Sequence, residues 1–125
     1  MVILKVLIVD DSLIICARLV TLLSCIKGVV IVGQAQNGDD GYRSIVELKP
    51  DVVLLDIQMP RGGGISVLEK LKHSSLSPTV IMLTNYPYAQ YRNTCMKLGA
   101  HFFFDKSAEF EKVVETITQL RECHA

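Results

Sequence analysis

A chain of 125 residues, half of them hydrophobic, is long enough for one packed core. Its 13 basic residues cancel its 13 acidic ones, so no large positive field marks it for nucleic acid. No apolar run reaches the roughly 18 residues of a membrane span, and "MVILKVLIVDD" meets acid without the basic flank or cleavage site of a signal peptide.

In chain order, five short apolar runs alternate with longer helical patterns. Ile3–Val9 is the first run, and Ser12 then suits the cap of a helix to about Ile26, closed by Gly28. Val29–Val32 follows, with a helix from near Asp39 to before Pro50. After Val52–Leu55 a third helix is predicted over about Ile65 to His73. Val80–Leu83 leads to Pro87, which suits the first turn of a fourth helix that Gly99 closes. Phe102–Phe104 precedes a last helix with Phe110, Val113, Val114, Ile117 and Leu120 on one face. Glu109 and Glu111 in its first turn and Arg121 in its last suit the helix macrodipole. Near-continuous apolar strands are those covered on both faces by helices, so the pattern predicts an α/β fold with a doubly wound, five-stranded parallel sheet.

In such sheets the site lies outside the carboxyl ends of the strands. There the chain places Asp10 and Asp11, Asp56, Thr84 and Lys106. Each has a bland reading alone: helix-start acids, a turn former, a strand-end hydroxyl, a surface lysine. Together they are a set. Three crowded carboxylates need a cation, and hard oxygen ligands with room for water fit Mg²⁺ better than zinc. A carboxylate beside such an ion can attack phosphorus, while an ammonium and a hydroxyl hold the phosphoryl oxygens.

The stretches "VLIVDDS", "VVLLDIQMP", "IMLTN" and "GAHFFFDKS" resemble the receiver domain of bacterial two-component response regulators over nearly the whole chain. The resemblance implies a flavodoxin-like sheet of strand order 2-1-3-4-5. It implies that Asp56 is the phosphoacceptor, fed by a histidine kinase or a histidine phosphotransfer protein. Asp11, Asp56 and the backbone carbonyl of Gln58 would hold Mg²⁺, with Asp10 acting through water. Thr84 would hold a phosphoryl oxygen, Lys106 would pair with the acyl phosphate, and Phe103 would be the switch aromatic. Pro60 and Gly64 match the turn after the acceptor strand, and Gln58 and Tyr86 flank the approach of hydrolytic water. Ile14, Ile15 and Arg18 on the first helix are expected to dock the phosphodonor. The face formed by the fourth helix, fifth strand and fifth helix would carry the signal to a downstream protein or output domain, or to a second copy of the chain.

Departures are few. Asn85 stands where a small residue is usual, and Ser107 replaces a common proline but could cap the last helix. His101 reads as a surface residue at a strand start. The three residues "CHA" after the last helix suggest one receiver over 1–125 with no output domain, either free-standing or cut from a longer regulator. Cys16, Cys25, Cys95 and Cys123 lack metal-type spacing and read as reduced thiols of a soluble cytoplasmic protein. The alternatives are a phosphate-independent adaptor receiver, a phosphohydrolase and a flavin carrier. A haloacid-dehalogenase-type hydrolase wants a second Asp where Gln58 stands. A flavodoxin wants a hydroxyl-rich loop where "VDDSLII" carries two charges.

Overall fold

The computed structural model describes residues 2–124. Five strands, β1 (Leu4–Val9), β2 (Val29–Ala35), β3 (Val52–Leu55), β4 (Thr79–Thr84) and β5 (Phe102–Asp105), form one parallel sheet of order β2-β1-β3-β4-β5. The helices are α1 (Leu13–Leu23), α2 (Gly38–Leu48), α3 (Gly64–Lys72), α4 (Ala89–Lys97) and α5 (Phe110–Cys123).

The strand period of two divides the apolar runs between the faces. Leu4, Val6 and Ile8 of β1 join Val52 and Leu54 of β3 and Ile81 and Leu83 of β4 in a cluster closed by Cys16, Leu19, Val113 and Ile117 of α1 and α5. Leu7, Val9, Val53, Leu55, Val80 and Met82 enter the opposite cluster with Ile45, Val67, Leu68 and Cys95 of α2, α3 and α4. Each fully buried aliphatic contributes roughly 1.5–3 kcal/mol by leaving water. That double burial is why β3, the four residues VVLL, has no polar face.

Several boundaries differ from the sequence reading. Helix α1 stops at Leu23, and Gly28 lies beyond it in the turn into β2, at φ +85°. That left-handed backbone favours glycine, and a Cβ there would also make the Arg121 guanidinium of α5 shift. Helix α2 starts earlier because Asn37 caps it. The Asn37 Oδ1 accepts from the Asp40 N–H at 2.8 Å, and the Asn37 Nδ2 donates back to the Asp40 carboxylate at 2.9 Å. Pro87 precedes the α4 cap, Tyr88, and lies outside the first turn.

Ser107 does not cap α5. Its N–H and hydroxyl both donate to the Asp105 Oδ1, at 2.9 and 2.8 Å, forming a turn ahead of the helix. Those two bonds hold the Asp105 carboxyl below its ordinary range. Ser12 does cap α1, accepting from the Ile15 N–H at 3.3 Å. No helix among the described residues is long and apolar enough to cross a membrane.

Candidate functional site

The ladder ends where the polar residues begin. Val9 pairs with Leu55, so Asp10 and Asp56 leave neighbouring strands side by side. The Asp56 N–H donates to the Val9 carbonyl at 3.0 Å, and the Lys106 N–H to the Thr84 carbonyl at 2.9 Å. Backbone pairing therefore carries Asp10, Asp56 and Lys106 one step past the sheet, while Thr84 is the last residue of β4.

The turn after Asp56 depends on its glycines. Arg61 and Gly62 take positive φ, +53° and +90°, to bring the chain back toward α3. A Cβ on Gly64 would lie 2.2 Å from the Asp56 carbonyl oxygen, and one on Gly63 2.1 Å from that of Ile57. Side chains at 63 and 64 would push the acceptor's own backbone away.

Asp10, Asp56 and Lys106 are 3%, 5% and 7% exposed, and Thr84 is fully buried. The Lys106 Nζ lies 2.6 Å from the Asp10 Oδ2 and 3.0 Å from the Asp56 Oδ2. The Asp56 Oδ1 accepts from the Ile57 N–H at 2.8 Å, and the Asp10 Oδ1 from the Ser12 N–H at 2.9 Å. The Thr84 Oγ1 accepts from the Tyr86 N–H at 3.0 Å, which leaves its own proton free to donate. Below the site the Cys16 thiol donates to the Asp10 carbonyl at 3.4 Å.

Burial raises the Asp56 pKa; the Lys106 charge opposes this and the Asp10 charge reinforces it, and the balance stays upward. For Lys106 burial alone would depress the ammonium, but the Asp10 hydrogen bond and the charges of both acids outweigh it, and the pKa is raised. Cys16 is pushed up by burial and then by the Asp10 charge, so it remains a thiol.

Carboxylate oxygens of Asp10, Asp11 and Asp56 all lie within 4.8 Å of one another, two of the acids buried and Asp11 exposed. Three hard oxygen donors with one side open to water suit a cation that keeps part of its hydration. The donor set fits a metal ion.

The other expected residues fall at different depths. Gln58 is exposed beside the cluster, and Tyr86 is 42% exposed. Phe103 is buried inside the α3–α4 cluster, with the Arg92 guanidinium 5.7 Å from its ring centroid. On α1, Ile14 is 81% exposed and Arg18 lies 4.1 Å over the Phe110 ring. Ile15 is half-buried, with part of its side chain packed against the α1–α5 cluster. Leu13, 68% exposed, takes its place beside Ile14. Helix geometry offered part of this signal: in α1, Ile14 lies opposite Cys16, whereas Ile15 shares a face with Leu19. Arg92 carried no such signal, since only folding sets it against Phe103.

The family model for the response regulator receiver domain matches residues 6–118. The response regulator GacA of Pseudomonas aeruginosa is 36% identical over 93% of this chain and 54% of its own length. The response regulator domain of Thermotoga maritima CheB superposes with a TM-score of 0.85 at 26% identity, over 98% of this chain and 96% of that one. CheY of Borrelia burgdorferi, solved as a CheX–CheY–BeF₃–Mg²⁺ complex, gives 0.86 at 27% identity over 95% and 90%.

The chain belongs to the response regulator receiver domain family, whose members relay signals in two-component systems. Strand order and fold match those of its relatives. Receivers of this family exchange signals with histidine kinases and output domains. The chain spans about half the length of the curated response regulators it matches.

Proposed function

We propose that residues 1–125 act as one phosphoacceptor domain, in which Asp56 receives a phosphoryl group from a phosphohistidine of a histidine kinase or phosphotransfer protein. The observation that carries this reading is the buried Lys106 ammonium between Asp56 and Asp10, beside three converging carboxylates. An Asp56 carboxylate oxygen attacks phosphorus, the phosphorus–nitrogen bond breaks, and its electron pair stays with the departing imidazole. Asp56 loses its carboxylate charge as the acyl phosphate forms. Lys106 stays anchored to Asp10 and turns its remaining donors to a phosphoryl oxygen. The free Thr84 proton donates to another. Asp11, Asp56 and the Gln58 carbonyl, with Asp10 through water, would hold Mg²⁺, which supplies charge neutralisation of the phosphoryl oxygens when bound. The magnesium in the Borrelia CheY complex supports the choice of ion.

We read the domain as an acceptor that also phosphorylates itself from small donors and loses the group by hydrolysis, not as an enzyme acting on other substrates. Leu13, Ile14 and Arg18 form the surface for the phosphodonor. The signal leaves through Phe103 and the α4–β5–α5 face, which engages a downstream protein, an output domain or a second copy of the chain. Four unpaired thiols, two of them exposed, suit work in the reducing cytoplasm.

Incubation with Mg²⁺ and acetyl phosphate, followed by intact mass and peptide mapping, tests the reading. One phosphoryl group on Asp56, not formed when metal is chelated beforehand, is expected. Turnover of small phosphate esters, or labelling elsewhere, would overturn it.

A further inference from the structure

At the amino ends of β4 and β5, opposite the acid cluster, α3 and α4 part over a groove of about 330 Å³. Its floor is aliphatic: Leu68, Leu71, Leu76, Val80 and Leu98. Lys72 from α3 and Lys97 from α4 line it, with His101 at the start of β5. A second depression of about 430 Å³ shares Lys72, Lys97 and Leu98 and adds His73 and one acid, Glu69.

No carboxylate lines the first groove, and both lysines are exposed. Among the described residues neither forms an ion pair, whereas Lys70 pairs with Asp39 and Lys106 with Asp10 and Asp56. His101 is held in one tautomer. The Val80 N–H donates to its Nδ1 at 3.1 Å, so in the neutral ring the proton resides on Nε2. The free ring nitrogen is then a donor and not a metal ligand. Three donors with no acceptor among them surround an apolar floor.

We propose that this groove binds an acidic peptide segment of a partner protein, anchored by one or two large aliphatic side chains flanked by Asp or Glu. The aliphatic floor requires an apolar anchor, and the volume matches side chains rather than a whole helix. The Lys72 and Lys97 ammonium groups and the His101 Nε2–H require acceptors on both flanks. Nucleic acid fits poorly. No Phe, Tyr or Trp lines the groove to stack a base, and the chain's charges sum to zero.

The test is a titration of the ¹⁵N-labelled chain with a capped Glu-Glu-Leu-Leu-Glu-Glu peptide. Parallel titrations use its all-Gln counterpart and a single-stranded oligonucleotide. Saturable shifts at Lys72, Lys97, Gly99 and His101 are expected, at least tenfold weaker with the Gln peptide. The double variant Lys72→Glu, Lys97→Glu should lose binding while keeping its thermal midpoint and its labelling by acetyl phosphate. Equal binding of the Gln peptide would overturn the proposal. So would peptide shifts confined to Leu13 and Ile14, or saturation of the same residues by the oligonucleotide.

Discussion

At the carboxyl ends of the strands Asp10, Asp56 and Lys106 are almost wholly withdrawn from water, whereas at the amino ends Lys72, Lys97 and His101 stand in it. The charges are similar in kind and different in consequence. A buried ammonium between two carboxylates is coupled to both, and loss of that ammonium leaves both acids without compensation. An exposed lysine is screened and changes little when removed. Chemistry that must sense one phosphoryl group needs the first arrangement, and a docking surface can use the second.

The largest break comes from Asp56→Asn, because the amide cannot attack phosphorus and labelling by acetyl phosphate should fall to background. The same change should raise the thermal midpoint of the metal-free protein near pH 7. Its folded pKa is raised, so the stability the carboxyl contributes is present below its unfolded value, about 3.9. That contribution is lost as pH rises through the folded value, and asparagine never loses it. Added Mg²⁺ should stabilise the wild type and leave the variant unmoved. A variant with an unchanged midpoint in metal-free buffer would show that the three acids do not strain the fold.

Next in size is Lys106→Met, which strands Asp10 and Asp56 and should cost about 3–5 kcal/mol in urea unfolding without metal. Lys97→Met, at the other end of the sheet, should stay within about 0.5 kcal/mol. The raised Lys106 pKa adds a pH signature. Its contribution is complete below the unfolded lysine value, about 10.4, and disappears as pH climbs through the higher folded value. Lys106→Met should therefore lose this alkaline step. Equal costs for the two lysines would erase the contrast between the ends.

Glycines sharpen the same comparison. Gly64→Ala drives a Cβ into the Asp56 carbonyl and should cost about 1–3 kcal/mol, with slower phosphorylation. Gly99→Ala meets open space and should cost only its positive φ, about 1–2 kcal/mol, with phosphorylation unchanged. The labelling rate separates them more cleanly than stability does.

The smallest effects concern the rim of the site. Tyr86→Ala and Tyr86→Glu should each speed loss of the phosphoryl group if the ring shields it, and unchanged decay in both would remove that role. Phe103→Tyr introduces a hydroxyl into an apolar pocket and should favour an outward ring by about 0.5–1.5 kcal/mol, the worth of one hydrogen bond. Basal partner binding should drop and the response to phosphorylation widen. Identical binding curves would show that the ring is not the switch.

Strand order came from the resemblance to receivers, whereas strand positions, a parallel sheet and the convergence of Asp10, Asp11, Asp56, Thr84 and Lys106 were legible in the chain. They rest on local signals: uninterrupted apolar runs, caps, and a polar residue at each strand tip. Such signals mislead where two local preferences compete. Ser107 has the chemistry of a cap, yet the nearby Asp105 carboxylate captures both its donors. Ile15 looks like surface beside Ile14, but a helix turns about 100° per residue and half-buries it against the core.

From its order of residues alone this chain determines which groups reach the carboxyl edge, because a parallel sheet delivers every strand tip to the same side. Only the tertiary structure decides how those groups share charge: that Lys106 bridges Asp10 and Asp56, that Phe103 is buried beside Arg92, and that Lys72, Lys97 and His101 meet across a groove. Burial and separation set the strength of an electrostatic interaction, and both are properties of packed neighbours far apart in sequence.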